Sequence, residues 1–302
     1  MMHYLVHVLL VLALPPLLLG IANRVKALFA GRRGPPVLQL YFDLAKLARK
    51  STVQSRTTSF VFRAGPVVAL ATTACAAMLV PLGAHKAPLS FGGDLVFFAY
   101  LFALGRFFTV AAALDTGSAF EGMGGAREVT FGALAEPALF FGLLVLTRLG
   151  GAVRFAVVLG PGLADHWVEA APSLVLVAVS LFVVLLSETC RVPFDDPNTH
   201  LELTMIHEVM VLDHGGPALG MILYGAAMKL FVLGAVVVGV ALPASSGNAW
   251  LDWLLFLGGM LGCTVLVGVV ESIMARLKLV AVPKLLVTAC LLSAVGLVLL
   301  VR

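Results

Sequence analysis

The sequence predicts an all-α integral membrane protein, with eight transmembrane helices and a cytoplasmic amphipathic helix between the first two. Three observations predict it. The chain is 61% hydrophobic and 12% charged, with a mean hydropathy of +1.05, whereas a soluble domain carries roughly 25% charged residues. Apolar runs of about 20 residues, long enough to cross a hydrocarbon core at 1.5 Å per residue, recur along the whole length. The stretches between them are too short for a soluble domain, so 1–302 reads as one polytopic membrane domain.

The expected spans are 3–23, 62–82, 93–114, 131–149, 172–188, 218–242, 252–270 and 279–301. The first lacks a basic region before it and a small-residue cleavage site, and more spans follow it, so it reads as a retained helix and not a signal peptide. Of the 20 lysines and arginines, eight fall between spans 1 and 2 and a ninth, Arg63, at the start of span 2, one each in the loops after spans 3 and 5, and three around the loop after span 7. Only Lys86, Arg148, Arg154 and Arg302 fall on the opposite side. The positive-inside rule then puts the loops at about 24–61, 115–130, 189–217 and 271–278 in the cytoplasm and both termini outside. Such a chain is expected in a lipid membrane with protein alongside and no nucleic acid as a partner. Trp250 and Trp253 fall where an outer aromatic belt is expected.

In the first cytoplasmic loop, Pro35 and Pro36 can open a helix. Val37, Leu40, Tyr41, Leu44, Leu47 and Ala48 then recur at helical spacing, opposite Asp43, Lys46, Arg49 and Lys50. That helix is expected to lie flat at the headgroup boundary, either as an anchor to anionic lipid or as one wall of a crevice. The second loop, DTGSAFEGMGGAREVTFGALAEP, is rich in small residues and carries Asp115, Glu121, Arg127 and Glu128. Glu136 follows inside span 4 beside Pro137, which can open the helix locally. Glu136 is either a functional intramembrane carboxylate or half of a structural ion pair. Arg106 and Lys229 lie inside spans 3 and 6 and must face protein or water, as counter-charges to carboxylates or as steps in a proton path.

The densest charge is in the third loop. Between Glu188 and Pro217 lie Glu188, Asp195, Asp196, Glu202, Glu208 and Asp213, together with His200, His207, His214 and Arg191. Bare burial in lipid would cost several kcal/mol for each charge, so the segment must be wet, paired or held at a protein interface. The run from Thr199 to Leu212 has helical spacing. Its histidines recur every seven residues, about 10 Å apart along a helix, too far to share a metal ion. The pair His207 and Glu208 has Val211 where a zinc protease needs its second histidine. A hydrated titratable network suited to proton relay, or a polar loop gripped by a soluble partner, fits better. Cys75, Cys190, Cys263 and Cys290 are far apart and form no CxxC pair, so any redox centre is expected in partners.

Three segments carry a resemblance: GPPVLQLYFDLAKLARK, DTGSAFEGMGGARE followed by AEP, and ETCRVPFDDPNTHLELTMIHE. They resemble the eight-helix membrane subunit shared by respiratory complex I, the NADH-quinone oxidoreductase, and membrane-bound nickel-iron hydrogenases. The THLELTMIHE continuation is similar to the formate hydrogenlyase branch. The resemblance implies a prokaryotic inner membrane and, in it, a non-redox coupling and anchoring subunit that links electron transfer in a soluble module to proton or sodium movement. Nickel-iron and iron-sulfur centres would sit in hydrogenase large and small subunits and an iron-sulfur subunit, with antiporter-like membrane subunits alongside. Together the readings make Glu121, Glu136, Glu188, Glu202, Glu208 and Lys229 candidates for coupling or proton relay. Arg127, Arg191, Asp195, Asp196, His200 and His207 are candidates for the subunit interface, and no metal or catalytic centre is assigned to this chain. Two alternatives remain at the level of sequence. One is a quinone-site subunit of an NADH-quinone oxidoreductase, which predicts a long apolar cavity. The other is an independent transporter using Glu136, Lys229 and Arg106, which an inverted repeat or paired broken helices would favour.

Overall fold

A computed structural model of the chain describes residues 2–195, 205–243 and 245–301. The helices run in the order α1 (Met2–Phe29), α2 (Gln39–Ala48), α3 (Phe60–Leu79), α4 (Asp94–Asp115), α5 (Ala119–Gly150), α6 (Phe155–Val158), α7 (Leu163–Glu188), α8 (Gly216–Ala241), α9 (Ala249–Ile273) and α10 (Val282–Val301). Eight of them, all but α2 and α6, are long and apolar enough to cross a membrane. Consecutive spanning helices alternate in direction, so residues 30–59, 116–118, 189–195, 205–215 and 274–281 gather at one end of the bundle, called here the basic end.

Helix α8 is the central post. It packs against α1, α2, α3, α7 and α9, and 61% of its most apolar window is buried, against 22% for α10. Its sequence, GMILYGAAMKLFVLGAVVVGVA, is apolar on every side, which suits a helix surrounded by others. Its start is set by Gly215, Gly216 and Pro217: Gly216 has φ of +56°, and a Cβ there would lie 3.0 Å from the Lys50 and Ser51 carbonyls. Only glycine combines that backbone with that approach. Helices α3 and α9 are capped by Ser59 and Asn248, whose side chains accept from Val61 N at 3.1 Å and Trp250 N at 3.0 Å.

Helix α1 passes through Pro15 and Pro16 without ending. Pro16 has no N–H to give the Leu12 carbonyl, and the Tyr224 hydroxyl on α8 donates to that carbonyl at 2.9 Å. The Tyr41 hydroxyl on α2 donates to the next carbonyl, that of Ala13. The amphipathic helix is thus tied to protein. Leu40 is buried, and Leu44 and Leu47 lie over Gly220 of α8, while Phe42 remains exposed.

Four expectations need correction. Span 4 does not begin at 131: α5 starts at Ala119, so most of the second loop is helix. Its glycines are packing positions, since a Cβ at Gly124 would meet the Ile206 carbonyl at 2.9 Å. Span 5 starts at Leu163, nine residues early, with a kink at Ala170 two residues before Pro172. Pro137 does not open α5, which continues through it. The helix read over Thr199 to Leu212 reduces, among the described residues, to one 3-10 turn, Glu208–Val211, so His207 and His214 do not share a helical face. Buried Val209 and Met210 pack this turn onto α5, a contact that helical spacing does not report.

Candidate functional site

The charges inside the spans meet in one place. Arg106 of α4 donates from its two terminal nitrogens to Glu136 of α5 and to Glu188, the last residue of α7. Its Nε faces Glu128 of α5 at 3.5 Å. Glu188 also takes Lys229 of α8, Nζ to Oε2 at 2.7 Å, and Lys229 lies 5.5 Å from the centroid of the Phe102 ring. Gly132 makes this possible, because a Cβ there would sit 2.6 Å from Arg106 Cζ. Four helices therefore contribute three carboxylates and two cations to one cluster. The side chains of Arg106 and Glu188 are each 8% exposed, and that of Glu136 is 40% exposed. Separated, these charges could not stay in a membrane interior; together they compensate one another.

A cavity of about 70 Å³ lies against the cluster, lined by Arg106, Glu128, Glu188, Lys229, Cys190 and His207 among apolar neighbours from α3 and α8. Its volume and polar wall suit several water molecules. The cluster holds one carboxylate more than it has cations.

The third loop is fastened beside this cluster through its own backbone. Asp195, 1% exposed, accepts from Ile206 N at 2.9 Å and His207 N at 3.3 Å. Arg127 donates to the Met205 carbonyl at 2.8 Å, and buried Glu121 accepts from Asp213 N at 3.1 Å. Arg191 is buried against Glu271 of α9, Nη1 to Oε1 at 3.2 Å, and Lys26 of α1 approaches the other oxygen of Glu271 at 3.3 Å. Arg276 pairs with Asp195 at 2.9 Å. His214 stacks on Phe62, with ring centroids 4.0 Å apart and an interplanar angle of 12°.

Burial pushes both His207 and His214 below their ordinary pKa of 6.5. A histidine whose folded pKa is lowered binds fewer protons closed than open. The closed loop thus keeps its full stability above pH 6.5 and loses part of it as pH falls from there toward the folded pKa values. Amide exchange in 205–215, corrected for its intrinsic pH dependence, is expected to accelerate by at least about threefold between about pH 7.5 and 5.5. A protection factor flat across that range would show that neither histidine reports on closure.

Of the sequence candidates, Glu136 and Glu188 converge on Arg106, and Lys229 joins them through Glu188. Glu121, Arg127, Arg191 and Asp195 instead pin the third loop to the bundle, and His207 lines the cavity. Glu208 sits half-buried on the 3-10 turn. Asp196, His200 and Glu202 lie outside the described residues. Glu128, Glu271, Lys26 and Arg276 were not singled out. The available signal for Glu128 was its spacing, four and eight residues before Gly132 and Glu136 on one helical face. Glu271 had a weaker one, a carboxylate ending an apolar span. Among the described residues no group of three His, Cys, Asp or Glu side chains comes together as a metal site.

A family profile described as NADH dehydrogenase matches residues 2–302. The chain belongs to the NADH dehydrogenase family. Within that family it is 30% identical over 291 residues to formate hydrogenlyase subunit 4 of Escherichia coli (strain K12), covering 94% of this chain and 93% of that protein. It is 33% identical over 234 residues to hydrogenase-4 component C of the same organism, covering 78% and 73%. Its fold matches a chain of the membrane-bound sulfane sulfur reductase, an archaeal respiratory membrane complex, with a TM-score of 0.84, 21% identity and coverage of 99% and 98%. At that identity the likeness is one of fold. This member of the NADH dehydrogenase family is thus a multi-pass membrane protein, as its eight apolar helices require.

Proposed function

We propose that this chain is the membrane anchor and coupling subunit of a multisubunit, energy-converting hydrogenase of the formate hydrogenlyase type. The observation that carries the reading is the five-charge cluster of Arg106, Glu128, Glu136, Glu188 and Lys229. It lies among membrane-spanning helices and opens on a cavity that reaches the third loop. The full-length similarity to formate hydrogenlyase subunit 4 supports the choice of complex. In this reading the chain carries no redox centre. Nickel-iron and iron-sulfur centres belong to hydrogenase large and small subunits and an iron-sulfur subunit seated on the basic end. Arg127, Arg191, Asp195, Asp196, His200 and His207 shape the surface that meets them. A change of charge in that module displaces the third loop, and Glu188 at its root shifts its share of Arg106 and Lys229. Proton affinities of coupled groups then change together, and the change passes through Glu136 to antiporter-like membrane subunits that move protons or sodium ions. Glu121, Glu202 and Glu208 serve the same relay from the loop side. The basic end faces the cytoplasm and both termini face outward, as the charge bias requires.

The test is purification of the tagged chain from its native membrane in mild detergent, with mass spectrometry and metal analysis. Nickel and a hydrogenase-like large subunit in constant ratio to the chain are expected. NADH-oxidising flavoprotein subunits with bound quinone, or a chain that purifies alone, would overturn the reading.

A further inference from the structure

The segment of α9 and its following loop from 271 to 277 makes three contacts with the ETCRVPFD stretch, and no sequence motif marks any of them. Glu271 accepts from Arg191 at 3.2 Å, Arg276 donates to Asp195 at 2.9 Å, and Leu277 N donates to the Pro193 carbonyl at 3.0 Å. These contacts grip the second half of the stretch, at Arg191, Pro193 and Asp195. The charges alternate along the row Lys26, Glu271, Arg191 and again in the pair Asp195 and Arg276. Every carboxylate in the row is buried: the side chain of Glu271 is 0% exposed and that of Asp195 is 2% exposed. Burial of this kind makes the pairing geometry strict, because a charge that slips out of register is left uncompensated away from water. The stretch also closes on itself through Asp195, which holds Ile206 N and His207 N, so its far side is fixed by the same carboxylate that Arg276 orients.

We infer that Glu271 and Arg276 are the positioning residues of the third loop, a clamp at the inner end of α9 that sets where Arg191 and Asp195 stand and ties them, through Lys26, to α1. The inference deepens the coupling role proposed above and rests on it for its purpose. A loop held only by its own turns would absorb a push from a docked module locally. A loop clamped at Arg191 and Asp195 delivers the push to α9 and, through Glu271 and Lys26, to α1. Neither residue touches a reacting group; each acts through the charge it holds in place.

Cys190 provides a reporter, being next to Arg191 in the stretch. Burial pushes its thiol well above the ordinary value, so it is slow to react while the clamp is closed. Maleimide labelling in native membranes, read peptide by peptide, compares it with Cys263, which lies on α9 eight residues before Glu271. Glu271→Gln, which keeps shape and removes charge, is expected to raise the Cys190 rate at least about tenfold, as loss of a charge-assisted hydrogen bond raises the open population. Arg276→Gln, which releases the other end, is expected to do the same. Cys263 stays unchanged in both. The double variant Arg191→Gln with Glu271→Gln is expected to label no faster than the faster single variant, because both remove one interaction. Unchanged Cys190 labelling in both single variants overturns the clamp. So does a parallel rise at Cys263, which would report a general loosening of α9, and so does additivity in the double variant. The labelling needs no partner, so absence of nickel-bearing subunits from the wild-type preparation would sink the hydrogenase reading and leave this result standing.

Discussion

Arg106→Gln is expected to be the most damaging single change in this protein, lowering its stability by about 3–5 kcal/mol. Glutamine retains hydrogen bonds but removes the charge that Glu128, Glu136 and Glu188 share. Among the described residues Lys229 pairs with Glu188, at 2.7 Å, and with neither α5 carboxylate, so Glu128 and Glu136 lose their nearby cation. Glu136 is partly exposed and can recover some solvation. Glu188 and Glu128, at 8% and 14%, cannot without moving helices. In detergent, the apparent unfolding temperature is expected to fall by several degrees, on the order of 2–4 °C for each kcal/mol in a chain of this class. Arg106→Lys is expected to recover part of the loss, since one ammonium cannot face three carboxylates from the position of a planar fork. Equal unfolding temperatures for wild type and Arg106→Gln would mean that the cluster is held by something other than this guanidinium.

Gly20→Ala is expected to come second, at about 2–3 kcal/mol. A Cβ at Gly20 runs directly into the Val37 carbonyl, so the collision is between two backbones and no side chain can turn aside. The chain before α2 must lift from α1, and with it the helix whose Tyr41 covers the Ala13 carbonyl and whose Leu44 and Leu47 sit on α8. Limited proteolysis should then cut within 30–59 in the variant and spare the wild type. Matching digestion patterns would show that the contact can relax without cost. Because the collision lies away from the Arg106 cluster, Gly20→Ala with Arg106→Gln should be close to additive.

The two sites differ in how far the sequence could lead. The five charges of the membrane cluster include three that stand out at once, because Arg106, Glu136 and Lys229 interrupt apolar runs. Glu136, expected either as a structural ion pair or as a functional carboxylate, is paired within a larger cluster and still partly exposed. Glu128 reads as a loop residue in the sequence; with α5 beginning at Ala119, it falls on the face of Gly132 and Glu136. Glu271 looked like the end of a span, and nothing local says that a residue 80 positions earlier will reach it. The helical spacing over Thr199 to Leu212 misleads in the other direction, since the described part of that run forms one short 3-10 turn, Glu208–Val211.

The sequence by itself determined the eight spans, their alternation, the amphipathic α2, the family and the concentration of charge at one end. Each of these depends on sums over neighbouring residues: partition of about 20 side chains between water and hydrocarbon, a period of 3.6 residues, or a local motif. Only the tertiary structure decided which cation meets which carboxylate. Arg106 and Glu188 are 82 residues apart, Arg191 and Glu271 are 80 apart, and the choice among them is made by helix packing at Gly132, Gly124 and Gly20. The free energy of a buried charge depends on its partner to within an ångström or so, and the chain's order along its length does not contain that distance.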